Sequence, residues 1–258
     1  MDAETSPKRL EVLPDAARLA QAAAERFAVL GGEAIRGRGR FAVALAGGST
    51  PRGMYQRLSS TFAERVDWPR AHVFWSDERC VPPDDPDSNY RMAREALLDR
   101  VPIPAGNVHR IRAEAVPEEA AAEYESCLRK FFGQHSTAGP AAGAPRPPRF
   151  DLILLGMGED GHAASLFPGT AALSERNRWV IAHYVEKLAA WRITLTLAVI
   201  NAAAEVMFLV SGARKAETLR RVLAGFDKPP ALPAQMVRLA DGRLLWLVDA
   251  EAASLLPR

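Results

Sequence analysis

The sequence predicts an α/β protein built on an open, mostly parallel sheet with helices on both faces. Three observations lead there. Short apolar runs such as Leu152-Ile153-Leu154-Leu155 have the pattern of strands buried on both faces. These runs alternate with stretches of helical period, as in parallel strands joined by helical crossovers. The chain's 258 residues, 48% hydrophobic and 25% charged, suffice for one large domain of ordinary globular composition.

The elements follow in order. Pro14-Asp15 suits a helix start, because proline is tolerated in the first turn. Leu19, Ala22, Ala23, Phe27 and Leu30 recur at helical spacing, and the pair Gly31-Gly32 is expected to end that helix. Residues 36–40, basic and with two glycines, read as a solvated loop. A strand over 41–46 runs into Gly47-Gly48-Ser49-Thr50, followed by a helix over 51–60. The next strand, 71–76, is closed by Asp77-Glu78-Arg79 and a proline-rich loop over 81–87. Ser88 is placed to cap a helix carrying Tyr90, Met92, Ala96 and Leu97. A weak strand over 108–111 precedes a helix over 117–132. Residues 133–149, rich in Gly, Pro, Ala and Ser without an apolar period, read as a surface insertion within one domain spanning 1–258. Strands over 179–184 and 192–197 form a short antiparallel pair. A buried strand over 206–210 leads through Ser211-Gly212-Ala213-Arg214-Lys215 into a helix to about 224. A strand over 244–248 and a helix over 249–256 come last.

Composition excludes several function classes. Lys plus Arg is 33 and Asp plus Glu is 31, so the net charge of +2 is too balanced for a nucleic-acid binder on charge alone. Two cysteines, Cys80 and Cys127, fit a reducing compartment rather than a disulfide framework. No run approaches the length of a membrane span, and residues 1–5 lack a signal-peptide pattern. The expected setting is the cytoplasm, with no membrane partner. Neither His-Glu-x-x-His nor Cys/His ligand spacing occurs, so no metal is expected. No Gly-x-Ser-x-Gly elbow occurs, which disfavours a serine hydrolase.

In open α/β sheets, ligands sit outside the carboxyl ends of the strands. Four strand ends here carry unusual residues. Gly47-Gly48-Ser49-Thr50, between a strand and a helix amino-terminus, offers backbone N–H groups, two hydroxyls and a favourable helix dipole to an anion. Arg79 could clamp a phosphate or carboxylate, with Asp77 ordering it or the neighbouring loop. Lys215 lies in the first turn of a helix, where a cation is disfavoured unless an anion joins it.

The fourth end is Gly156-Met157-Gly158-Glu159-Asp160-Gly161-His162. It matches a dinucleotide fingerprint formally, but Glu159 and Asp160 put carboxylates where a pyrophosphate would sit. His162 makes the better case: an imidazole can take a proton from water, and Asp160 on its other nitrogen would fix the tautomer. His72, His109, His135 and His183 have no such context.

Leu-Ala-Gly-Gly-Ser-Thr-Pro at 45–51, Trp-Ser-Asp-Glu-Arg at 75–79, Gly-Met-Gly-Glu-Asp-Gly-His-Ala-Ala-Ser-Leu-Phe-Pro at 156–168 and Ser-Gly-x-x-Lys at 211–215 together resemble the 6-phosphogluconolactonase family. The resemblance spans nearly the whole chain in the family's order. It implies a Rossmann-like α/β fold, no metal or organic cofactor, and hydrolysis of 6-phospho-D-glucono-1,5-lactone, the second step of the oxidative pentose phosphate pathway. By motif, His162 would be the general base and Asp160 its orienting partner. Gly47, Gly48, Ser49, Thr50, Asp77, Arg79 and Lys215 would hold the phosphosugar, with Arg192 a further candidate for its negative charge. Backbone N–H groups around 156–161 are expected to meet the oxyanion. The implied partner is the lactone substrate alone, bound by a monomer or weak dimer.

Two alternatives fit the sequence less well. Glucosamine-6-phosphate deaminase has Asp-Glu-Tyr where this chain has Asp77-Glu78-Arg79, and Asn-Glu-Pro where it has Leu166-Phe167-Pro168. Phe167 thus removes the glutamate that ring opening would use. A non-catalytic sugar-phosphate sensor would carry a DNA-binding segment, and none is visible in the sequence.

Overall fold

The computed structural model describes residues 8–133, 147–224 and 232–257. Most of the expected insertion, 134–146, lies outside them, as does His135. Along the chain run β1 (Lys8–Leu13), α1 (Ala16–Arg38), β2 (Phe41–Leu45), α2 (Ser49–Leu58), β3 (Ala71–Trp75) and β4 (Asp77–Arg79). Then come α3 (Asn89–Ala96), α4 (Pro117–Phe132), β5 (Leu152–Leu155), β6 (Val180–Val185) and β7 (Ala190–Leu195). The last are α5 (Leu197–Ile200), β8 (Glu205–Val210), α6 (Ala216–Ala224) and β9 (Arg243–Asp249).

Six strands form a wholly parallel sheet in the order β1-β9-β8-β5-β2-β3. Every residue of β2, β5 and β8 is buried, so both faces of the sheet's centre are covered. Each leucine, isoleucine, valine or phenylalanine buried there contributes about 1.5–3 kcal/mol, and that drive fixes these strands at the centre. The chain passes from β2 outward to β3, then returns to the other side of β2 at β5. The crevice between the carboxyl ends of β2 and β5 is therefore the topological switch point, where such sheets bind ligands.

The expected antiparallel pair is a three-stranded sheet, β4-β7-β6. Asp77-Glu78-Arg79 does not close β3 but starts this second sheet. Ser76 is the pivot: its N–H donates to Leu45 of the parallel sheet at 2.8 Å, and its carbonyl accepts from Leu195 N–H at 2.9 Å.

Four other expectations need correction. α1 continues through Gly31-Gly32 and ends at Gly39, which has φ 76° and donates its N–H to Ile35 at 2.8 Å. Gly31 faces the core, where a Cβ would lie 3.2 Å from the Phe41 ring, so its lack of a side chain serves packing within the helix. The pair's loss of helix propensity, about 1 kcal/mol per glycine, is overridden by that packing. The basic Arg36 and Arg38 accordingly belong to the last turn of α1 rather than to a loop. The weak strand at 108–111 is reduced to one bridge, Val73 to Val108. Residues 250–255 form turns, not a helix, with the buried Asp249 carboxylate accepting from Ala252 N–H at 2.8 Å and from Ser211 and Gly212. β1 went unpredicted because Leu10 and Val12 both point to solvent on an edge strand.

Candidate active site

The switch point opens into a cleft of about 430 Å³. All ten sequence-predicted site residues line it: Gly47, Gly48, Ser49, Thr50, Asp77, Arg79, Asp160, His162, Arg192 and Lys215. They arrive from five strands of the two sheets or from the turns that follow them, which is why no local motif could contain them.

One wall is the turn after β2. Gly48 has φ 98°, which the backbone needs to swing into α2, and no side chain caps that helix. The first-turn N–H groups of Ser49 and Thr50 have no carbonyl within the helix to accept them. Gly47 has a different task. A Cβ there would sit 1.9 Å from Asn89 Oδ1, so only glycine lets the α3 terminus pack beneath the turn.

β4 and β7 form the next wall. Arg79 and Arg192 are register partners across the two strands, side by side in the antiparallel pair. Arg79 donates to the carbonyl of Asp87 at 2.7 Å and Arg192 to that of Trp191 at 3.1 Å. Among the described residues, neither has a carboxylate within ion-pair distance. Burial, reinforced by repulsion from Arg79, lowers the pKa of Arg192. Two facing guanidiniums without a counter-ion are suited to a multiply charged anion.

What holds that wall is Glu78, 3% exposed. Its Oε1 accepts the N–H groups of Arg79 and Asn89, both at 2.8 Å. Its Oε2 accepts Tyr90 N–H at 2.8 Å and Ser88 Oγ at 3.3 Å. Burial pushes this carboxyl up to about 7 even against three backbone donors that favour its charge. Glu78→Ala would leave four donors without their acceptor in a buried site. Urea unfolding is expected to register a loss of about 2–4 kcal/mol, whereas a loss below about 1 kcal/mol would show that the wall does not depend on it.

Asp77, 7% exposed, accepts from Ser165 Oγ at 2.6 Å, and its carbonyl accepts from Asn89 Nδ2 at 3.0 Å. Ser165 belongs to the segment after the glycine loop, and its carbonyl accepts from His183 Nε2 on β6 at 2.7 Å. Asp77 thus joins the anion-facing wall to the wall that carries His162.

That second wall follows β5. His162 Nδ1 lies 2.5 Å from Asp160 Oδ1, and the His162 backbone N–H donates to the same oxygen at 3.2 Å. Gly158 makes this possible, since a Cβ there would be 2.0 Å from His162 Nδ1. Phe167 covers the imidazole with ring centroids 4.3 Å apart. Burial opposes the charge on Asp160, but hydrogen bonds from Lys187 and His162 outweigh it and pull the carboxyl down to about 2. Because this lies below the ordinary 3.8, the ionised pair favours the folded state above about pH 4. That contribution is lost as pH falls toward 2. Ionised Asp160 can only accept, so Nδ1 carries the proton and the Nε2 lone pair is left available as a base.

The glycine loop is pinned from β8 and α6. Lys215 donates to the carbonyl of Met157, Thr218 Oγ1 to that of Glu159 at 2.5 Å, and Arg214 pairs with Glu159 at 3.3 Å. Burial lowers the pKa of Lys215. The loop amides expected to meet an oxyanion are partly engaged: Gly158 N–H donates to His162 at 2.9 Å and Gly161 N–H to Gly158 at 3.0 Å. Those two are therefore not free for substrate.

Lys187, Ser165 and Asn89 went unpredicted. Their contacts cross between elements, and a lone lysine at a hairpin tip has no sequence signature. Among the described residues, no group of three or more His, Cys, Asp or Glu side chains could hold a metal ion.

Fold and cleft define a Rossmann-like α/β protein whose cleft is lined by a carboxylate–imidazole pair and by Arg79, Arg192 and Lys215. The chain belongs to the family described as glucosamine-6-phosphate isomerases/6-phosphogluconolactonase, whose model matches residues 14–246. It is similar to the 6-phosphogluconolactonase of Nostoc, 42% identical over 248 residues and covering 96% of this chain and 98% of that one. A second relative, the 6-phosphogluconolactonase of Synechocystis, is 43% identical over 221 residues, 85% of this chain and 86% of the other. Among solved structures, the 6-phosphogluconolactonase from Trypanosoma cruzi superposes with a TM-score of 0.85 at 29% identity, covering all of both chains.

Proposed function

We propose that this protein hydrolyses 6-phospho-D-glucono-1,5-lactone to 6-phospho-D-gluconate by direct attack of a water that His162 activates. The observation that carries the reading is the cleft's polarity. An imidazole held by an ionised carboxylate lies on one side of the cleft, and the register partners Arg79 and Arg192, with the Ser49–Thr50 turn, line other parts of it. A lactone that carries a phosphate at the far end of the sugar presents an electrophilic carbonyl and a dianion, one for each of these two kinds of group.

The steps follow from the groups present. Phosphate bound by Ser49, Thr50, Arg79, Arg192 and Lys215 fixes the ring and makes attack effectively unimolecular. Gly47 and Gly48 shape that cradle, and Asp77 holds its wall to the catalytic one. His162 Nε2 takes a proton from water as the oxygen adds to the lactone carbonyl. Asp160 stabilises the imidazolium so formed. When the tetrahedral adduct collapses, the C1–ring-oxygen bond breaks and His162 returns the proton to the departing ring oxygen. A lactone is an activated ester, so no covalent nucleophile is needed. The two half-buried free thiols fit a reducing, cytoplasmic setting, and this reaction would supply the second step of the oxidative pentose phosphate pathway.

The test is acid release from freshly prepared 6-phosphogluconolactone, with glucosamine 6-phosphate as counter-substrate. Acid release well above the spontaneous rate, without ammonia from the amino sugar, is expected. Ammonia release without lactone hydrolysis would overturn the reading in favour of a deaminase.

A further inference from the structure

The β6–β7 hairpin reaches both ends of the cleft. Arg192 on β7 faces the anion wall, while Lys187, in the tight turn at the tip, places Nζ 2.8 Å from Asp160 Oδ2. The turn is specific: Ala189 is held at φ 46°, and its N–H donates to Glu186 at 3.1 Å. A non-glycine residue in this left-handed region is uncommon, and here it closes the turn that carries Lys187 to Asp160. The two oxygens of Asp160 are therefore divided, one on His162 and the other on Lys187.

We propose that Lys187 is a positioning residue for the base, fixing the second oxygen of Asp160 and offsetting part of its charge so that His162 rests as neutral imidazole at working pH. The inference rests on the general-base reading of His162. A bare carboxylate in contact with imidazole favours the imidazolium, and a resting imidazolium cannot accept a proton from water. A cation on the carboxylate's far side weakens that pull while keeping the tautomer fixed.

Among the described residues, the other charged groups around the pair, Lys215 included, act on Asp160 only at longer range. Glu159, on the same loop, is paired with Arg214, and Lys215 after β8 donates to the Met157 carbonyl. Asp77 and Arg79 on β4 and Arg192 on β7 line the opposing wall. Phe167 covers the ring with an apolar face. Among the described residues, Lys187 alone contacts Asp160 Oδ2.

The decisive comparison is Lys187→Met, which keeps the stem and removes the charge, with Lys187→Arg as rescue. Removing a cation one carboxylate away from the imidazole is expected to move the acid limb of the kcat/KM profile up by about 0.5–1 pH unit. Well below the limb activity should fall about 3–10-fold, above it activity should match wild type after subtraction of spontaneous hydrolysis, and the arginine variant should restore the wild-type profile. The NMR titration of the His162 imidazole should move upward with it. A uniform rise in KM with both the profile and the titration unmoved would overturn the proposal and make Lys187 a substrate contact. So would a pH-independent fall in kcat with the titration unmoved. The titration needs no turnover, so it still decides the Lys187–Asp160–His162 coupling if His162 proves not to be the base.

Discussion

His162→Ala is expected to lower kcat/KM on 6-phosphogluconolactone by about 10²–10⁴-fold, the range that a positioned general base contributes. The loss should fall on kcat, because Ser49, Thr50, Arg79 and Arg192, which supply most of the binding contacts, come from other segments of the cleft than His162. The variant should remain folded. The side chain is 32% exposed and Asp160 keeps its Lys187 partner, so no buried charge is orphaned. Asp160 is ionised throughout the working range, since its carboxyl is held near 2, and the buried Glu78 carboxyl, pushed up to about 7, stays in both proteins, so the limb that differs between wild type and variant is the one carried by the base. That limb should vanish in His162→Ala, and a variant with wild-type kcat and an intact limb would sink the assignment.

The second large effect is expected at the guanidinium pair. Arg79→Ala and Arg192→Ala each remove a charge-assisted contact to phosphate, worth about 1.5–3 kcal/mol, or about 10–100-fold in kcat/KM. The double variant should lose about 10²–10³-fold, less than the product of the singles. The arginines are register partners that repel each other, so removing one eases the other, and neighbours that share a ligand are not additive. Unphosphorylated gluconolactone should be almost indifferent to all three variants. Measured kcat/KM for both lactones decides the point: equal losses on the two substrates would show that the arginines do not read the phosphate.

Much of the fold was legible because the central strands announce themselves. Leu152–Leu155 and Glu205–Val210 are apolar runs buried on both faces, and burial of that kind leaves a clear sequence signature. β1 left none, since Leu10 and Val12 face solvent and its place depends on pairing with β9, more than two hundred positions away. Gly31-Gly32 misled because local propensity says stop, whereas the approach of Phe41 says that a small residue fits inside the helix. Asp77-Glu78-Arg79 read as the tail of β3 because nothing local marks Ser76 as the pivot between two sheets.

The site divides in the same way. The glycine turn, the Asp160–His162 spacing and the basic residues at strand ends are local patterns, and the switch point of the sheet gathers them into one cleft. The contacts that hold them are not local. Glu78 on the α3 terminus, Ser165 on Asp77 and Lys187 on Asp160 each join segments between 10 and 88 positions apart, and only the folded chain reveals them.

The cleft's polarity is the central claim, and a crystal structure of the protein with bound 6-phosphogluconate tests it most directly. The phosphate is expected among Ser49, Thr50, Arg79, Arg192 and Lys215, with the C1 carboxylate carbon within about 3–3.5 Å of the water position served by His162 Nε2. A phosphate seated against His162 and Lys187, with C1 at the arginine wall, would contradict the account.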